Sequence, residues 1–111
     1  MRLKFFLLFL VLTGAYICHS VAQKQGQLQI DSLLKVLSNA KEDSNKAKLL
    51  YKLAQSMSRS SKYDEGVKYA KEYLELIKKL GLPQEKGYHI LGILYARKSD
   101  YPKALEHFFM H

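Results

Sequence analysis

An all-α fold is predicted: antiparallel helix hairpins stacked as a repeat array, an α-solenoid, behind a cleavable signal peptide. Three observations predict it. The stretch from Leu50 to Tyr73 recurs, with Leu53-Ala54, Met57, Arg59, Ser61, Tyr63, Gly66 and Ala70 returning as Leu91-Gly92, Tyr95, Arg97, Ser99, Tyr101, Ala104 and Phe108, each pair 38 positions apart. Self-similarity at a fixed period of this size is the mark of a repeat architecture. Apolar residues in both copies fall at i, i+3, i+4 and i+7, one face of a helix, and no segment sustains the period-2 alternation of a half-buried strand. The third observation is the front end.

Residues 1–22 read as a targeting segment. Arg2 and Lys4 form a positive start, Phe5 to Ile17 is a nearly unbroken apolar run of 13 residues, and Ser20-Val21-Ala22 supplies the small residues of a cleavage site after Ala22. A bilayer-spanning helix needs about 20 apolar residues, so the run is short for one. Two rival readings are lipidation at Cys18, disfavoured by the bulky Ile17 before it, and retention as an uncleaved anchor. Cleavage would remove the single cysteine, leaving no disulfide, and with Arg2 and Lys4 gone the net charge falls from +8 to +6. The product is expected in an exported, periplasmic or otherwise extracytoplasmic compartment, stabilised by packing alone.

Residues 23–44 then read as a flexible Gln/Gly-rich lead-in, Gln23 to Gln29, and a short helix over 31–40 with Asp31 as N-cap. Ile30, Leu33, Leu34 and Leu37 share one face of it. The first repeat spans 45–82. Its first helix (45–60) buries Leu50, Leu53, Ala54 and Met57. Its second (64–80) buries Gly66, Val67, Ala70, Tyr73, Leu74 and Ile77, and stops at Gly81 and Pro83. The second repeat, incomplete, spans 83–111: Tyr88, Leu91, Gly92 and Tyr95 restart the unit, and Pro102 opens a last helix with Ala104, Leu105 and Phe108 inward. Small residues at 54, 66, 92 and 104 predict close approach of the paired helices.

These residues resemble tetratricopeptide repeats. That family's pattern places Leu-Gly or Leu-Ala before an aromatic, a second aromatic at the inter-helix turn, and Ala three residues further, as in Leu91-Gly92, Tyr95, Tyr101 and Ala104. The first unit follows it with substitutions, Leu53-Ala54, Met57, Tyr63 and Gly66. Departures are the missing Trp at the Leu50 and Tyr88 positions and a period longer than the family's usual value of about 34 residues. The resemblance covers residues 45–111. Together with the leader it is similar to the extracytoplasmic front of bacterial membrane sensor proteins, where repeats precede a spanning helix and a histidine kinase or DNA-binding output. Neither output is in this sequence, so no enzyme is expected, and any kinase activity would belong to sequence outside it. The short last helix and apolar Phe108-Phe109-Met110 end lead us to expect an N-terminal fragment, since repeat arrays need a polar terminal cap.

Such repeats imply a concave groove lined by the first helix of each unit. The residues expected there are Lys48, Lys52, Gln55 and Arg59, then Lys86, His89, Ile90, Ile93 and Arg97, with an acidic protein or peptide segment as partner. An ordinary solvated lysine-rich face is the plain alternative. The family's chaperone-type carboxylate clamp uses asparagines at the positions of Lys52 and Gln55, so that specificity is not implied. His107 and His111 stand at i, i+4, but no third ligand accompanies them, and no metal or cofactor is expected. Nucleic acid is not an expected partner, because the lysines are spread over all helices. The acids are scattered, and no nucleophile with a partnered base is recognisable. A membrane would be met only through the leader or through downstream sequence. The alternative function is a small secreted protein that self-associates through its exposed last helix.

Overall fold

The computed structural model describes residues 2–110, and the side chains of these except 15–22. Five α-helices follow one another among the described residues: α1 (Arg2–Leu37), α2 (Ser44–Arg59), α3 (Tyr63–Lys79), α4 (Glu85–Arg97) and α5 (Tyr101–Phe108). The chain is all-helical, as the apolar periodicity predicts. Helix α2 packs chiefly on α3 and α4 on α5, α3 bridges to α4, α1 lies along α2, and α2 touches α4.

Local chemistry sets the boundaries. The Asp43 side chain accepts hydrogen bonds from the Asn45 and Lys46 amides and so caps α2. Asp100 does the same for α5 through Lys103, with Pro102 in the first turn, where a missing N–H is harmless. Helices α2, α3 and α4 end in the same way. The Lys62 amide reaches the Met57 carbonyl at 2.8 Å, Leu82 reaches Ile77 at 2.9 Å, and Asp100 reaches Tyr95 at 2.8 Å. Each such bond spans a residue in the left-handed region: Ser61 (φ 61°), Gly81 (φ 70°) and Ser99 (φ 64°). This is the Schellman closure of a helix end, for which glycine is the usual residue. Ser61 and Ser99 are register partners in the sequence repeat. The repeat is therefore also a repeat of backbone conformation: the turn of one hairpin is copied 38 residues later.

The core is built from the stripes the sequence displays. Leu50, Leu53, Ala54 and Met57 from α2, Ala70 and Ile77 from α3, and Leu91, Leu94 and Ala104 beyond them are all within 3% of complete burial. Leu94 and Leu76 belong to this core although neither lies on the repeated motif. Leu94 explains Gly66: a Cβ there would meet a Leu94 methyl at 2.7 Å and the Ala54 carbonyl at 3.5 Å. The glycine thus admits α4 of the next hairpin as well as its own partner α2. Gly92 has a different job, since a Cβ on it would strike the Phe108 ring.

Two expectations are corrected by α1. The lead-in over Gln23 to Gln29 is helical, and no break separates it from the segment that follows. Asp31 is a helix-interior residue, not an N-cap, and accepts a hydrogen bond from Gln27 one turn earlier. The reason is that this stretch contains no proline and has something to dock against. Ile30, 1% exposed, joins Leu53 and Met57 in a second cluster flanked by Leu33, Leu34 and Leu37. Burying one such side chain stabilises by about 1.5–3 kcal/mol. Gln27 accepts a hydrogen bond from Lys62, and Gly26 lets the helix approach Ser60.

Upstream, Leu3 and the apolar run from Phe5 to Leu12 are exposed on every side of α1. Among the described residues no helix is long and apolar enough to cross a membrane. The side chains of Cys18 and of the Ser20-Val21-Ala22 cleavage signal lie outside the described residues.

Candidate functional site: the cleft between α2 and α4

Helices α2 and α4 meet only lightly, and the space between them is an open cleft of about 590 Å³. That volume lies in the usual range for ligand sites of about 300–1,000 Å³. The α2 wall is Ser44, Ala47, Lys48, Tyr51, Lys52 and Gln55; Tyr73 and Ile77 of α3 form the floor. Leu82 and Pro83 of the inter-hairpin connection, then Glu85 and Lys86 of α4, close the far side.

Each part is placed by the local structure. Lys48, Tyr51, Lys52 and Gln55 follow at i, i+3, i+4 and i+7, so they share the α2 face turned away from Leu50 and Leu53. Leu82 is held by the hydrogen bond its N–H donates to the Ile77 carbonyl after the left-handed Gly81, which folds the connection back against α3. Pro83 follows, where the chain cannot continue as helix. The additional residues of the long repeat period therefore become a wall of the cleft.

Two tyrosines dominate the interior. The rings of Tyr51 and Tyr73 are 5.2 Å apart and tilted by 50°, the offset arrangement that aromatic pairs prefer. Lys86 Nζ stands 5.9 Å from the Tyr51 ring centroid, within reach of its π-face. Burial, and then the neighbouring Tyr51, hold the Tyr73 hydroxyl above the ordinary tyrosine range, so it is a neutral donor at physiological pH. Only 8% of Tyr73 is exposed, and its hydroxyl has no hydrogen-bond partner among the described residues. No buried side-chain polar atom is left unsatisfied among those residues, so the hydroxyl keeps contact with solvent, and Tyr73 lines the cleft.

The expected groove residues divide. Lys48, Lys52, Gln55 and Lys86 come together around this one cleft. His89 lines a smaller neighbouring cleft of about 320 Å³ with Glu85, Lys86 and Phe108, its ring 5.8 Å from the Phe108 ring. Arg59 is exposed on the last turn of α2 and does not line the α2–α4 cleft. Ile93 is half-buried away from it. Ile90, expected on the apolar floor, is 4% exposed and belongs to the core, because α4 is packed by α3 and α5 on its two flanks.

Arg97 is turned to another purpose. Its guanidinium donates to both the carbonyl and the hydroxyl of Ser58, each at 3.0 Å, and so ties the end of α4 to the end of α2. Tyr73, expected in the core, is buried there and also floors the cleft, whereas Tyr51 is not among the expected groove residues. Tyr51 sits one turn from Lys48 and Gln55 on the polar face, and an aromatic ring among lysines there was the available signal.

His107 contacts the Lys103 carbonyl through Nδ1 at 2.7 Å and stacks on Tyr95 at 5.1 Å. His111, its suggested companion, lies outside the described residues. Among the described residues no group of three His, Cys, Asp or Glu side chains is placed to hold a metal ion. Comparison of the chain with protein-family models, with curated proteins and with solved structures returned no match.

Proposed function

We propose that this chain is an exported, tetratricopeptide-like helical repeat module that binds a protein or peptide partner in the cleft between α2 and α4, and that it works as a binding module rather than an enzyme. The observation that carries the reading is the pairing of a repeated hairpin turn, Ser61 and Ser99 in the same conformation, with an open aromatic cleft at the joint between the hairpins. The repeated motif residues support the family resemblance. The basic start, apolar run and small-residue site of residues 1–22 support export.

Selection from a random-sequence peptide display library on the immobilised chain tests it. Peptides should be enriched, and the enrichment should vanish on a variant carrying Lys48→Trp and Gln55→Trp, which fills the cleft from its rim. No enrichment, or equal enrichment on the filled variant, would refute the reading.

A second reading has its own observation. Val67 on α3 is 8% exposed, whereas its register partner Leu105 on α5 is 56% exposed, with Tyr101 and Phe109 open beside it. Self-association through that face predicts concentration-dependent sedimentation abolished by Leu105→Glu.

A further inference from the structure

Three lysines, Lys48, Lys52 and Lys86, converge on the α2–α4 cleft, and the ion-paired lysines lie elsewhere. Lys79 is paired with Glu42, Lys98 with Asp64 and Lys103 with Asp100. Among the described residues, none of Lys48, Lys52 and Lys86 has an ion-pair partner. They ring an interior whose lining is largely apolar: Ala47, Tyr51, Tyr73, Ile77, Leu82 and Pro83. One carboxylate, Glu85, opposes the three positive charges. Uncompensated like charges around a partly desolvated space repel one another, and an anionic occupant relieves that repulsion while gaining from all three at once. The cleft therefore asks for two features in one ligand: an apolar or aromatic side chain to enter between the tyrosines, and carboxylates at its flanks to meet the rim.

We propose that the occupant of this cleft is an acidic peptide segment with an apolar or aromatic anchor residue set between carboxylates; the proposal rests on the peptide-binding reading above and names the partner's chemistry. The anchor stacks on Tyr51 beside Lys86. The open Tyr73 hydroxyl donates to a backbone carbonyl or carboxylate of the segment. Lys48 and Lys52, one turn apart on α2, meet carboxylates on one side and Lys86 meets one on the other. Glu85 faces the same rim and sets the limit on the gain, since it repels any carboxylate placed over the first turn of α4.

The test is an NMR titration of the full chain, following the ring signals of Tyr51 and Tyr73 and the backbone amides. Four probes are used: an acetylated, amidated pentapeptide with phenylalanine between two pairs of carboxylates; the same peptide with serine for phenylalanine; the same with lysines for the acids; and a hexathymidylate. The first should move the two tyrosines and bind most tightly. The serine and lysine peptides should each bind about tenfold more weakly or worse, and the affinity of the first should fall as salt is raised. Lys52→Glu with Lys86→Glu, both exposed positions, should invert the preference toward the lysine peptide.

If the lysine peptide shifts the cleft as strongly as the acidic one, the partner chemistry is overturned while peptide binding stands. If the oligonucleotide wins, the site recognises phosphate polyanions and the proposal fails. If no probe moves Tyr51 or Tyr73, the peptide-binding reading fails with it.

Discussion

A Cβ added at Gly92 would arrive within 3.0 Å of three carbons of the Phe108 ring. Ordinary carbon–carbon contact is about 3.5–4.0 Å, so the ring must retreat by roughly 1 Å or turn out of its seat. It is not free to do so cheaply. Phe108 is half-buried, packs against the main core and lies over His89. Two effects of Gly92→Ala oppose each other. Alanine improves helix propensity by about 1 kcal/mol relative to glycine. Forcing a methyl into an occupied space costs about 1–3 kcal/mol. The net expectation is a loss of about 0–2 kcal/mol, or several degrees of melting temperature at about 4–8 °C per kcal/mol for a domain of this size.

Direction alone is a weak test, so the cycle matters. In the Phe108→Leu background the ring is gone, and Gly92→Ala should then stabilise by its propensity gain. The coupling between the two sites should be about 1 kcal/mol or more, read from urea melts of the four proteins. A Gly92→Ala variant that is stabilised by the full propensity term in the parent background would refute the claim that this glycine exists to seat Phe108.

Four further outcomes follow from the same geometry. Ser61→Gly and Ser99→Gly relieve left-handed backbone strain and should each stabilise by about 1 kcal/mol, additively, in thermal melts. Arg97→Ala removes two hydrogen bonds to Ser58 and should cost about 1–2 kcal/mol while leaving peptide binding in the cleft unchanged, which titration of the variant checks. Ile30→Ala should cost about 2–5 kcal/mol, because α1 docks through that side chain; a change near zero would detach α1 from the fold. The exposed Glu42–Lys79 pair lowers the carboxyl's pKa, chiefly through its hydrogen bond with Lys79, and raises that of the ammonium. Its contribution is therefore lost as pH falls through the lowered Glu42 value and again as pH rises through the raised Lys79 value. The melting difference between the parent and Glu42→Gln should be flat at neutral pH, vanish at both extremes and shrink with salt.

The hairpins were legible in the sequence because their information is local. A stripe at 50, 53, 54 and 57 fixes which face of a helix is buried, and a stripe shifted by one period fixes the next unit. The turn was legible only as a recurrence, Ser61 and Ser99, without its left-handed conformation, since serine is not the residue that conformation favours. What escaped was set by partners distant along the chain. The Gln/Gly-rich 23–29 stretch looks flexible in isolation, and it is helical because Ile30, Gln27 and Gly26 find partners on α2 and the turn beyond it. Ile90 lies on the helix face expected to be open, and packing by α3 and α5 makes it core. Arg97 matches Arg59 in register, yet it reaches Ser58 because α2 lies beside α4, and α2 has no preceding hairpin to give Arg59 the same role. Half of the candidate site could be read from helical spacing on α2. The floor and far wall, Tyr73, Ile77, Leu82 and Pro83, come from the joint between hairpins, which no local pattern describes.

The cleft exists only if that joint is formed, with α2 and α4 facing one another across the two tyrosines. The direct measurement is the nuclear Overhauser contact between the Tyr51 ring and the Lys86 side chain, whose ammonium lies 5.9 Å from the ring centroid. Cross-peaks from Tyr51 to both Lys86 and Tyr73 are predicted in the free protein. Cross-peaks to Tyr73 alone, with both hairpins intact, would mean that the hairpins do not stack as described and that the cleft does not exist.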